Sequence, residues 1–151
     1  MKIALASDHA GFALKEEVKE FLSGLGIPTE DLGTYSALES VDYPDYAAAV
    51  AARVREGKAD RGILVCATGV GVCITANKVP GIRAALGWDP DIVRLSRAHN
   101  DANVLCLPGR FMEPKLARDL VNIWLTTAFD GGRHQRRLDK IAQLENRSPE
   151  A

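Results

Sequence analysis

The chain has 151 residues, of which 46% are hydrophobic and 26% charged, with a formal net charge of −1. That length favours one well-buried core, a single domain over residues 1–151 with 146–151 as a flexible tail, and the near-neutral charge removes the electrostatic case for a nucleic-acid or membrane partner. No apolar run reaches the roughly 18 residues of a spanning helix and no signal-peptide pattern opens the chain, so a cytoplasmic location is expected, with the three cysteines reduced.

Residues 2–6 are a short apolar run that predicts a strand. Phe12, Leu14, Val18, Phe21, Leu22 and Leu25 recur at helical spacing, which predicts a helix over 11–25, and a second strand follows over 28–32. Residues 33–44 read as a long surface loop. An Ala-rich helix is expected over 46–55, a strand over 61–65, a short helix over 72–78 and a strand over 82–88. Then come a helix over 91–99, a strand over 104–107, an amphipathic helix over 113–127 and a last helix over 135–145. Five strands alternating with helices predict an α/β fold, a Rossmann-like three-layer sandwich whose five-stranded parallel sheet is covered on both faces.

In such a sheet the ligand crevice lies outside the carboxyl ends of the strands. Asp8 and His9 follow the first strand and the run Cys66-Ala67-Thr68-Gly69-Val70-Gly71 follows the third, so both fall on that edge. Asp8 also reads as a cap for the first helix. Cys66 is either a small buried hydrophobe beside a tight turn or a thiolate next to backbone N–H groups that can hold an anion. A cysteine phosphatase would need an arginine at position 72, which is Val. A dinucleotide fingerprint finds Gly69 and Gly71 but Ile74 at the third glycine, with Asp89 at the distance of a ribose-binding acid. Near the C-terminus Arg133 and Arg137 stand four apart and share a face if helical, where they can grip one phosphate. Arg110, after the fifth strand, offers a third guanidinium. Cys73 and Cys106 are expected to be inert core thiols.

Five segments together resemble ribose-5-phosphate isomerase of the B type, in the ribose, galactose and allose phosphate isomerase family. They are Ser7-Asp8-His9-Ala10-Gly11-Phe12, Val41-Asp42-Tyr43-Pro44-Asp45-Tyr46, the Cys66 loop through Ala76-Asn77-Lys78, His99-Asn100-Asp101-Ala102-Asn103-Val104, and Gly131-Gly132-Arg133-His134-Gln135. The resemblance implies an aldose–ketose isomerase interconverting ribose 5-phosphate and ribulose 5-phosphate through an enediolate. It implies Cys66 as the base, Thr68 as a donor to the reacting oxygens and His99 as the residue that opens the furanose ring. By the same resemblance the amides of Ala67, Gly69, Val70 and Gly71 hold the enediolate and Asp8 and Asn100 bind sugar hydroxyls. Tyr43 lines the site, and His9, Arg110, Arg133 and Arg137 bind phosphate. Ala67 stands where the family pattern has glycine, a strain if the backbone there needs a positive φ.

No cofactor or metal is implied, and Asp8, His9, Asp42, Asp45 and His99 lack the tight spacing of metal ligands. An allose- or galactose-6-phosphate isomerase remains open, as does a nucleotide- or sugar-phosphate-binding module. The helix over 91–99 must run antiparallel to the strands, which puts His99 and Asn100 at the sheet's amino edge, away from Cys66. Hence one chain does not complete the site that the resemblance implies, and His99 and Asn100 are expected to serve the partner's site across a two-fold dimer, in agreement with the homodimer or dimer of dimers that the resemblance implies.

Overall fold

The computed structural model describes residues 1–147, so 148–151 of the expected tail lie outside the described part. Its elements are β1 (Ile3–Ser7), α1 (Phe12–Gly24), β2 (Thr29–Asp31), α2 (Tyr43–Arg55), β3 (Arg61–Cys66), α3 (Val70–Ala76), β4 (Ala84–Leu86), α4 (Pro90–Ala98), β5 (Val104–Pro108), α5 (Pro114–Thr126) and α6 (Arg133–Glu145). The strands pair in the order β2-β1-β3-β5-β4, all parallel, with Ser7 opposite Val65 and Cys66 opposite Pro108. Steps from β1 to β2 and from β4 to β5 run one way across the sheet, and those from β2 to β3 to β4 run the other. Right-handed crossovers therefore put α1 and α4 on one face and α2 and α3 on the opposite one.

Each face has its own core. Ile3, Leu5, Ile63, Val65, Leu105 and Leu107 meet Val18 and Leu22 of α1, Val93 of α4, and Leu120 and Trp124 of α5. Ala4, Ala6, Leu64 and Cys106 point the other way, against Ala47, Val50 and Ala51 of α2 and Val72 and Ala76 of α3. The period-2 alternation of β1, large then small, sorts its residues between the two. Small residues on the second face let α2 approach closely, and a Cβ on Gly62 would sit 2.5 Å from Val50 Cγ1.

Three features depart from the sequence expectation. First, α2, α3 and α6 begin three, two and two residues early, α2 because Pro44 suits a first helical turn, where no N–H partner is needed. Second, β4 is cut to Ala84–Leu86, because as an edge strand it pairs with β5 alone, and the Asn77 amide takes both backbone groups of Ala84, at 2.8 and 2.9 Å. Third, α1 buries Lys15 completely and leaves Leu25 exposed. The Lys15 ammonium is held by both oxygens of Asp31, at 2.7 and 2.9 Å, and by the Thr34 carbonyl at 2.7 Å, which pins the base of the loop over 33–42. Burial pushes the Asp31 carboxyl up, but hydrogen bonds from Lys15, the Gly33 N–H and Lys19 outweigh it and hold the group below the ordinary carboxylate range.

Candidate active site

At the carboxyl edge of the sheet three turns meet. The turn after β1 lies against β3, with Asp8 N–H donating to the Val65 carbonyl at 3.3 Å. The turn after β5 is tied to the Cys66 loop by Gly109 N–H to Cys66 O at 2.8 Å and Arg110 N–H to Ala67 O at 3.1 Å. Contact this close demands glycine, since a Cβ on Gly11 would stand 2.4 Å from the Val65 oxygen. The Asp8 carboxylate, nearly buried, accepts the Gly11 N–H with Oδ1 at 2.9 Å, so it closes its own turn and keeps its other oxygen for a ligand. Alternation along β1 places Ser7, whose buried Oγ has no hydrogen-bond partner among the described residues, on the face of Ile3 and Leu5, opposite to that of Ala6 and Cys66.

Cys66 is 4% exposed at the end of β3, and the loop beyond it leads into α3. The left-handed residue of this loop is Gly69, at φ 75°, where a Cβ would strike Leu86 at 2.6 Å. Ala67 has no positive φ, so the strain anticipated for alanine at this position does not arise. Among the described residues, Val70 is the loop residue whose N–H has an internal acceptor, Thr68 Oγ1 at 3.2 Å. The N–H groups of Ala67, Thr68, Gly69 and Gly71 are left for an anion, and the exposed Thr68 hydroxyl keeps its proton to donate. Tyr43, the first residue of α2, lays its ring over Gly71, where a Cβ would stand 2.6 Å from its Cζ. The loop over 33–42 folds back so that Val41 N–H donates to His9 Nδ1 at 3.1 Å. Neutral His9 therefore carries its proton on Nε2, as a donor toward the crevice.

His99 and Asn100 lie elsewhere. His99 caps the C-terminus of α4, at the amino edge, next to Arg83 at the start of β4 and Asn103 before β5. Gly131 and Gly132, at φ 69° and 55°, reverse the chain after α5 so that α6 starts beside it, and the His134 ring stacks on His99 at 4.1 Å with 13° between planes. Arg133 and Arg137 both fall within α6, one turn apart. Burial holds His134 below the ordinary histidine range, helped by the neighbouring His99 and by the Arg133 and Arg137 guanidinium groups and opposed by Asp130. The phosphate candidates thus divide, with His9 and Arg110 at the carboxyl edge and Arg133 and Arg137 at the amino edge. His134 was missed in the sequence, although the Gly-Gly pair signalled the tight turn that delivers it.

Among the described residues, one trio of His, Cys, Asp or Glu could share a metal ion: His99, Asp130 and His134, within 4.8 Å of one another. The neighbouring Arg133 and Arg137 oppose a cation here, so this corner suits an anion. The combination of Asp8, His9, Asp42, Asp45 and His99 is split between the two edges. Asp89 accepts the N–H groups of Asp91 and Ile92 through Oδ1 and so caps the start of α4. Cys106 is an inert thiol, its pKa pushed well up by burial, whereas Cys73 is half-buried rather than a core residue and is lowered by a hydrogen bond with Cys106.

A family model described as Ribose/Galactose Isomerase matches residues 3–141. Ribose-5-phosphate isomerase B of Escherichia coli is 47% identical over 146 residues, 97% of this chain and 97% of that protein. Among solved structures, ribose-5-phosphate isomerase B of Clostridium thermocellum superposes with a TM-score of 0.94 at 50% identity, covering 96% of this chain and 97% of the other. Ribose-5-phosphate isomerase B of Mycoplasma genitalium with bound ribulose-5-phosphate gives 0.93 at 44% identity and 97% of both chains.

Proposed function

The chain belongs to the Ribose/Galactose Isomerase family, and from that premise we infer that it interconverts ribose 5-phosphate and ribulose 5-phosphate. Support comes above all from one arrangement, a cysteine set at a strand's carboxyl end against a loop whose amides point at the same crevice. Isomerisation removes a proton from the carbon next to a carbonyl, and fixed N–H donors stabilise the oxyanion that develops.

In this reading Cys66 thiolate takes the C2 proton of the open-chain aldose and returns it to C1, while Thr68 serves the two oxygens between which the second proton moves. No net oxidation occurs. The amides of Ala67, Gly69, Val70 and Gly71 carry the enediolate charge, Val70 by loosening its long bond to Thr68. Asp8 binds a hydroxyl with its spare oxygen, Tyr43 closes one wall, and His9 and Arg110 approach the phosphate. His99 opens the furanose ring, Asn100 binds a hydroxyl, and Arg133 and Arg137 hold the phosphate.

These last four belong to a second copy of the chain. A strand of five residues at about 3.3 Å each separates the two edges by roughly 17 Å, farther than one pentose phosphate bridges. A two-fold axis brings the amino edge of one protomer to the carboxyl edge of its partner and makes two complete sites. Two assays test the reading. Aldose phosphates of four to six carbons, with and without EDTA, are followed for ketose formation, and failure on ribose 5-phosphate would sink the substrate assignment. Mixing Cys66→Ala with His99→Ala protein should restore activity, because hybrid dimers carry one intact site. Verified subunit exchange without recovery would refute the shared site.

A further inference from the structure

The residue after Asn100 has the one left-handed non-glycine backbone among the described residues, Asp101 at φ 48°. It ends α4 by turning the chain so that Asp101 N–H reaches Arg97 O at 3.1 Å and Ala102 N–H reaches Ser96 O at 2.9 Å. Two arginines grip it from opposite sides. Arg97, 5% exposed, donates from Nη1 to Asp101 Oδ1 at 2.8 Å and to the Ala102 carbonyl at 2.9 Å, and its Nε reaches Thr127 O at 3.3 Å. Arg83 donates from Nη2 to Asp101 Oδ2 at 3.4 Å and to its carbonyl at 3.0 Å, and from Nε to the Asn100 carbonyl at 3.0 Å. Arg83 is itself seated, since its N–H donates to Asn103 Oδ1 at 2.8 Å, and Trp124 Nε1 supports Ala102 O at 3.1 Å.

So many contacts around one half-buried turn need a reason. His99 sits two residues before Asp101 at the C-cap of α4, where helix ends fray unless tied down. Its ring is braced on one side by the His134 stack and, among the described residues, makes no side-chain hydrogen bond of its own. The backbone that carries it is fixed by the turn, and the turn is fixed by Asp101.

We propose that Asp101, held between Arg97 and Arg83, is a positioning residue that sets the His99 imidazole for its work on the substrate. This rests on the role given to His99 above. Aspartate and asparagine are the side chains that best tolerate a left-handed backbone, and aspartate adds two charge-assisted contacts that one side chain must make in opposite directions. Asp101 touches no substrate and acts through His99.

The test is a double-mutant cycle read on ribose 5-phosphate. Asp101→Gly keeps the left-handed turn accessible and removes the grip, so the protein folds, as far-UV circular dichroism checks. Its kcat should fall about tenfold or more and KM should rise by less than that factor, because the phosphate arginines are on α6 and one hydroxyl contact, that of the neighbouring Asn100, moves with the turn. Asp101→Asn, which tolerates the same backbone and keeps an oxygen for Arg97, should restore most of the activity. In a His99→Ala background, whose residual rate is read at high enzyme concentration, Asp101→Gly should have no further effect. Should it cost the same factor there as in the wild type, Asp101 does not act through His99 and the proposal is overturned. Should His99→Ala itself be fully active, the role of His99 falls and the proposal falls with it.

Discussion

Gly11→Ala is the sharpest probe of how the carboxyl-edge turns are assembled. The added methyl would stand 2.4 Å from the Val65 oxygen, 2.6 Å from its carbonyl carbon and 2.9 Å from its Cβ, whereas ordinary contact begins near 3.4 Å. Val65 cannot yield, because β3 is paired on both sides, Val65 to Ser7 of β1 and to Leu107 of β5. The turn from Asp8 to Gly11 must therefore retreat by about 1 Å. Such overpacking costs about 1–3 kcal/mol of stability. The same shift carries Asp8 and His9 away from Cys66, and a misplacement of that size costs about 10²-fold in kcat/KM, or about 2.7 kcal/mol. The assay pairs kcat/KM on ribose 5-phosphate with thermal unfolding. Gly24→Ala is the control, because it meets nothing within 4 Å at the last residue of α1 and should stabilise the helix by about 0.5–1 kcal/mol with activity unchanged. A folded Gly11→Ala protein with wild-type kcat/KM would refute the claim that these turns set the catalytic geometry.

Cys66→Ala should lower turnover by about 10²-fold or more and leave ribose 5-phosphate binding near normal by calorimetry, since the lost group is a general base; a variant that turns over normally would remove Cys66 from that role. Arg137→Ala should raise KM by the worth of a charge-assisted contact, about 1.5–3 kcal/mol, and narrow the preference for ribose 5-phosphate over ribose, measured by initial rates. Asp31→Asn leaves the buried Lys15 ammonium with the half-exposed Glu16 carboxylate, 3.4 Å away, in place of its buried partner, and should destabilise by about 3–5 kcal/mol at pH 7 in urea unfolding. Because the folded pKa of Asp31 is depressed, its contribution is fully present above the unfolded value, about 3.9, and is lost as pH falls through the folded one. The gap between wild type and variant should therefore hold from pH 7 to 5 and close below about 4, and a gap independent of pH would show that the ion pair is not its source.

The order of strands and helices was legible in the sequence because both signals are local: the long helices carry an amphipathic period, and β1, β3 and β5 are short apolar runs buried on both faces. The position of Cys66 and Asp8 on one edge was legible too, since in a parallel sheet every strand ends at the same side. Even the separation of His99 from Cys66 followed from counting chain reversals. What pattern could not reach were relations between residues far apart in sequence. Lys15 reads as a surface residue of an amphipathic helix, and only the approach of Asp31 and Thr34 makes its burial tolerable. His134 reads as one member of a basic turn, and only the reversal at Gly131 and Gly132 lays it on His99. Ala67 looked like a strained substitution, because which loop residue turns left-handed depends on how Gly69 packs against Leu86 and Leu107. Periodicity records which face a side chain takes, whereas desolvation, stacking and ion pairing depend on what stands opposite, and that is decided only when the layers close.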